Sequence, residues 1–267
     1  MMATQHATEE RETESGRRTG VYVYGIVPAD VEPEEDASGV GDPPSSIDVV
    51  RHGEIAALVS DVTVDRRFGT PDDLTAHARL LDGAAAVAPV LPLRFGAVMS
   101  DPEAVKKELL EAHDDEFRTA LAELEGKAQF VIKGRYVEGM LLREVLDENA
   151  EAARLRDEIR DKPEDATRNE RIALGEIVNQ AVTNKRTEDT RRMLALLEPL
   201  TSLVNQREPT HEEDAVHVAV LLELSRQREL EEALTQLAEG EWEGRVELSL
   251  LGPMAAYDFV TKRAPEG

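Results

Sequence analysis

The 267-residue chain contains no cysteine. Disulfides, thiolate nucleophiles and cysteine-ligated zinc are excluded, while the compartment is left open. Aromatic residues make up only 4%, so the cores must be assembled mainly from Leu, Val and Ala. No apolar run approaches the roughly 20 residues of a membrane-spanning helix. The N-terminus lacks the charged-then-apolar order of a secretion signal, so a cytoplasmic location is the expectation. Positive charge is scarce: 31 Lys and Arg stand against 55 Asp and Glu, a net charge of −24. Such a surface repels phosphate backbones and anionic headgroups, so neither nucleic acid nor membrane is an expected partner. It favours solubility, both of the chain and of a sticky protein held on it.

Hydrophobic residues at 41% and charged residues at 32% describe a globular chain long enough for one large domain or two modest ones. Residues 1–19 carry almost nothing apolar and read as a disordered arm. Val21 to Val27 is β-branched and aromatic and reads as a strand. Gly39-Val40-Gly41 in the following loop is no dinucleotide site, because Asp42-Pro43-Pro44 forbids the helix that must follow the glycines. Ile47 to Val59 reads as a β-hairpin turning at His52-Gly53. Thr70-Pro71-Asp72-Asp73 is a helix start, and that helix should bury Leu74, Ala78, Leu81 and Ala85.

The segment Pro89 to Ser100, PVLPLRFGAVMS, has the most individual composition. Its prolines cannot donate to a ladder, so they belong at a strand entry or a sheet edge. In one continuous strand Leu91, Leu93 and Phe95 share a face and Arg94 points the other way. Arg94 then needs either a helix carboxylate or a partner's surface. A helix from Asp101-Pro102 to Gly126 completes a first α+β unit.

Gln129 to Val137 opens a second unit. Its expected elements are a helix from Met140 to Arg160, a long helix from Arg168 to about Val204 kinked at Pro199, and a strand from Ala215 to Leu224. A helix capped by Ser225 and closed by Gly240 follows, then a last strand from Val246 to Leu251. Gly175 is a candidate close-packing point. The fold class expected is α+β in two domains, each a ferredoxin-like variant with helices on one side of a sheet, the second with extra long helices. The boundaries fall at 20–126 and 127–261, with the C-terminal tail in the second domain.

Three motifs carry a resemblance: Val21-Tyr22-Val23-Tyr24-Gly25-Ile26, Val90-Leu91-Pro92-Leu93-Arg94-Phe95-Gly96, and Gly252-Pro253 leading into Tyr257-Asp258-Phe259-Val260. His77, Phe130 to Lys133 and Gly175-Glu176 add to it. Together they resemble the gas vesicle protein family GvpF/GvpL over about residues 20–261. Met254-Ala255-Ala256 stands where that family usually has Trp-Pro-Pro, and Ala78 stands where a Glu often follows the His. The resemblance implies a two-domain α+β protein of gas vesicle formation, in the cytoplasm and at the vesicle. It further implies an accessory or minor component without catalysis that binds the small apolar shell protein and other gas vesicle proteins.

The candidate partner-binding residues are Leu91, Leu93, Arg94 and Phe95, with Tyr257 and Phe259 of the tail. No catalytic, cofactor or metal residues are expected. His211-Glu212-Glu213-Asp214 lacks a second His at helical ligand spacing and reads as a solvated acidic turn. His77, on the buried side of its helix, reads as a core or interdomain histidine. The alternative function is a small-molecule enzyme on ferredoxin-like domains, which needs a pocket with convergent polar groups.

Overall fold

The computed structural model describes residues 19–34, 36–63, 68–201 and 203–260. The disordered arm expected over residues 1–19 lies outside them, except for Thr19, which opens the first strand. The chain forms two compact units. The first runs to Gln129 and takes in the residues from Pro253 onward; the second is Phe130–Gly252. The tail therefore belongs with the first unit, whereas the sequence placed it with the second.

In the first unit, β1 (Thr19–Pro28), β2 (Asp48–His52), β3 (Ile55–Thr63), β4 (Leu91–Pro92) and β5 (Val98–Met99) form one sheet in the order β2-β3-β1-β4. β5 also pairs with β1. β2 and β3 are the expected hairpin, with Gly53 at φ 55° in its turn. β1 and β3 are almost wholly buried, so both of their faces are covered. One face carries the core of Tyr22, Tyr24, Leu58 and Val62, closed by Leu81 and Ala85 of α1 (Pro71–Ala85).

The start of α1 is the one its sequence dictates. Thr70 Oγ1 accepts from Asp73 N–H at 3.2 Å, Asp73 Oδ2 accepts from Thr70 N–H at 3.2 Å, and Pro71 fills the first turn. The buried stripe, however, is Asp73, His77, Leu81 and Ala85. Leu74 is 50% exposed, which corrects its expected place in the core. The capping box turns Asp73 inward and so sets the rotation of the helix.

The helix expected from Pro102 to Gly126 is divided. A turn at Pro102–Ala104, capped by Asp101, passes into a π-wound stretch at Val105–Glu111, and α2 (Asp114–Leu124) follows. Gly126, at φ 67°, ends it as expected.

In the second unit, β6 (Lys127–Tyr136), β7 (Val204–Gln206), β8 (Asp214–Glu223) and β9 (Val246–Met254) form a sheet in the order β7-β8-β6-β9. The single helix expected over 140–160 is α3 (Met140–Glu148) and α4 (Ala150–Ile159). The Asn149 side chain accepts from Glu151 N–H and Ala152 N–H and so starts a new helix. α5 (Arg168–Leu197) ends before Pro199 instead of kinking at it. Gly175 faces open space, so it is not a close-packing point. α6 (Gln227–Glu239) begins after a 3-10 turn without a Ser225 cap. The short β7 was not expected at all.

Candidate functional site

The PVLPLRFGAVMS segment is not one strand. β4 and β5 are two residues each, and the chain turns between them, with Ala97 N–H donating to Arg94 C=O at 3.2 Å and Gly96 at φ 88°. Both short strands lie against β1, and among the described residues no strand pairs with their far side. The edge position expected from the prolines is what is seen. Gly25 permits it: a Cβ there would stand 2.7 Å from Leu91 O and 2.8 Å from a Leu81 methyl. β1 shifts register at the same place, between Val23 and Gly25.

The turn is fastened from beneath by neutral groups. Gly96 N–H donates to the Tyr22 hydroxyl at 2.9 Å, and that hydroxyl bonds His77 Nδ1 at 3.0 Å. His77 also bonds the backbone of Leu93. Leu93 N–H donates to Tyr24 C=O at 2.9 Å. The Phe95 ring sits 5.4 Å from His77 and 5.9 Å from Tyr22 in edge-on contacts. Burial pushes His77 down to about 4 and the Tyr22 hydroxyl up to about 12. At neutral pH the relay is therefore uncharged, with the Tyr22 hydroxyl donating to an unprotonated Nδ1. His77 is the core histidine expected.

Above this base Leu91 is buried, Leu93 and Phe95 are half-buried and Arg94 is exposed. Leu91, Leu93 and Phe95 do not line one strand face, because the turn intervenes. Arg94 makes no ion pair among the described residues, so the expected helix carboxylate is corrected. Arg94 stands exposed on the turn, so its charge needs no internal partner.

Tyr257 and Phe259 do not form an extended tail. Tyr257–Val260 is a helical turn beside β4. Asp82 of α1 secures it: Oδ1 accepts from Ala255 N–H at 3.0 Å, and the carboxyl bonds the Tyr257 hydroxyl. Burial raises the pKa of Asp82, and burial followed by the Asp82 charge raises that of Tyr257. The buried Gln129 accepts from Asp258 N–H at 2.9 Å. The structure thus brings the two candidate binding segments, far apart in sequence, into one region of the first unit. Tyr257 packs partly into the core, and Phe259 remains half-buried.

The second unit holds a polar centre that local patterns missed. The Arg245 guanidinium forms two bonds of 2.9 Å with the Asp189 carboxylate and one with Glu144 at 2.5 Å. Tyr136 donates to Asp189 at 2.7 Å, and its ring lies 5.4 Å from the guanidinium carbon. Lys185 reaches Glu144 at 3.1 Å and Glu148 at 2.8 Å. The centre ties β6, α3, α5 and the entry to β9 together. Its members are separated by up to 109 residues (245 − 136), so no local motif announces it. The acidic turn at His211 is held internally, with Asp214 Oδ2 accepting from Thr210 N–H, Thr210 Oγ1 and His211 N–H. Among the described residues no group of three or more His, Asp or Glu is set to hold a metal ion.

Comparison with known proteins gives a consistent result. Residues 20–261 match the family described as gas vesicle synthesis protein GvpL/GvpF. The chain is similar to gas vesicle protein F of Streptomyces sp. (strain CB03234), with 31% identity over 243 residues, covering 90% of this chain and 98% of that protein. It is 23% identical to gas vesicle protein F of Dolichospermum flosaquae, over 79% of this chain and 86% of that one. In fold it resembles the crystal structure of GvpF from Anabaena sp. PCC7120, with a TM-score of 0.73 at 20% identity over 91% of this chain and 98% of that chain. The crystal structure of GvpF from Microcystis aeruginosa gives a TM-score of 0.68, over 90% and 98%.

Proposed function

Because the chain belongs to the GvpL/GvpF family of gas vesicle synthesis proteins, we propose that it is a non-catalytic accessory protein of gas vesicle formation that binds the small apolar shell protein in the cytoplasm and at the growing vesicle. The family match over residues 20–261 carries this reading. The first unit supplies the contact surface: the exposed Arg94, the half-buried Leu93 and Phe95, and the adjacent turn bearing Phe259. An extended client segment meets main-chain groups at such a sheet edge and apolar side chains beside it. The net charge of −24 keeps the complex dispersed. The alternative of a small-molecule enzyme gains nothing from His77, whose bonding capacity is committed to Tyr22 and Leu93.

The test is co-expression with a gas vesicle shell protein and affinity capture, using the full chain. Cutting at residue 127 would separate the tail from the unit it packs on, so point variants are better probes. Capture by the parent, and its loss in Leu93→Asp combined with Phe259→Asp at unchanged Tm, is the expected result. Absence of capture by the parent would remove the shell-protein reading, and undiminished capture by the double variant would remove this surface.

A further inference from the structure

A second surface of the first unit has the form of a binding cleft. It is a cavity of about 820 Å³ between α1 and the loop of residues 31–44. That volume lies within the roughly 300–1,000 Å³ of ligand-binding clefts. Its α1 wall presents Ala76, Leu80, Ala84 and, just past the helix end, Val87, with Val31 and Ala37 opposite. These α1 positions form a stripe beside the buried one. Val87 is 83% exposed, the most exposed large apolar side chain among the described residues.

The loop wall is fixed by bonds. The Tyr24 hydroxyl accepts from Val40 N–H at 2.7 Å and bonds Ser60 Oγ at 2.8 Å. Gly39 N–H donates to Ser45 C=O at 2.7 Å, and Arg51 Nε donates to Ala29 C=O at 2.9 Å. A cleft held this way loses little freedom when filled.

The rim defines the occupant. Glu34, Asp36, Asp42 and Asp72 line the cleft, and none of them has an ion-pair partner among the described residues. Among the described residues Arg79 is the one cation in the lining. Glu32, which also lines the cleft, is paired with Arg51. An apolar floor under the four carboxylates that stand without an ion pair among the described residues is complementary to a segment that alternates apolar and basic side chains. From Ala76 to Val87 the wall spans about 16 Å at 1.5 Å per residue, or about three helical turns. We propose that this cleft is a docking site for a basic amphipathic helix of a partner protein, seated with its apolar face on Leu80, Ala84 and Val87 and its cations on Glu34, Asp36 and Asp72. The site is separate from the turn at residues 93–97, and it stands or falls independently of the shell-protein reading.

A synthetic Leu/Lys helix of about 14 residues serves as probe, with a shuffled peptide of identical composition that has no apolar face. Titration calorimetry gives the affinity, and amide shifts locate the peptide. The expected result is binding of the amphipathic peptide about tenfold tighter than the shuffled one, with shifts confined to residues 31–44 and 72–87. The triple variant Glu34→Gln, Asp36→Asn, Asp72→Asn should weaken binding about tenfold at unchanged Tm. Removing the same charge in the second unit, by Glu188→Gln, Glu223→Gln, Glu239→Gln, should change it less than about twofold. Equal binding of the shuffled peptide, or equal loss in the two triple variants, means that only net charge is sensed and overturns the proposal. Displacement of the peptide by equimolar spermidine would also overturn it, in favour of a small cationic ligand.

Discussion

The polar group beneath the β4–β5 turn of the first unit and the polar centre of the second are stabilised in opposite ways. The first relies on neutral partners: Tyr22, His77 and backbone groups of Leu93 and Gly96 satisfy one another without a charge. The second gathers charges, with Arg245 bonded to Asp189 and Glu144, and Lys185 to Glu144 and Glu148. Neutral groups can be buried under a turn at small desolvation cost, but each bond then contributes modestly. A charged centre costs more to desolvate and leaves a heavier penalty when one member is removed. The turn of the first unit should therefore respond to pH through His77, whereas the centre around Arg245 should be vulnerable to loss of one cation.

The largest effect should come from Arg245→Met. Asp189, only 3% exposed, would lose its guanidinium and keep only Tyr136. A loss of about 3–5 kcal/mol is expected, confined to residues 130–252. Peptide-resolved hydrogen exchange checks this, and equal loosening of both units would break the comparison.

Next in size is the pH response of the first unit. His77 titrates near 4 when folded and at its ordinary 6.5 when unfolded. Above pH 6.5 both states are neutral and no stability is lost. As the pH falls from 6.5 to about 4 the unfolded chain takes up a proton that the folded one refuses. Stability should drop by up to about 3 kcal/mol across that window and level off below it. His77→Leu should lower stability at neutral pH and flatten this dependence; a slope unchanged in that variant would assign it to other groups.

Tyr257→Ala should follow, at about 2 kcal/mol for a ring that is only partly buried. The loss should register in residues 19–129 by exchange, and loosening confined to the second unit would contradict the assignment of the tail. The smallest effect should be that of Arg94→Leu, within about 0.5 kcal/mol by denaturant titration, as for an exposed side chain without a partner.

Much of this fold was legible in the chain. Val21 to Val27, the turn at His52-Gly53, the Thr70 cap and the strand after Asp214 carry their signals locally. So did the edge placement of β4, through Pro89 and Pro92. What escaped depended on distant residues or on single caps. Asn149 restarts a helix inside a continuous helical pattern, because a side-chain oxygen takes over two amides there. Leu74 fits the apolar period of α1, but the capping box rotates the helix so that Asp73 goes inward. Arg94 looked buried only while its segment was taken for one strand. Of the candidate site, the residues were named from sequence, but their convergence was not. It depends on Asp82 meeting Ala255, 173 positions away.

That contact has a consequence for synthesis. The first unit is interrupted in sequence by the whole of the second, since its last segment begins at Pro253. A ribosome therefore makes β1 to β5 and α1 early but supplies Ala255 and Tyr257 only after the 123 residues of the second unit (252 − 130 + 1). Until then the Asp82 carboxylate lacks its tail partners, and the sheet edge at β4 stands without its neighbouring turn. The surface at β4 is thus completed only after the whole second unit has been made, and its final form reports that translation has passed Tyr257.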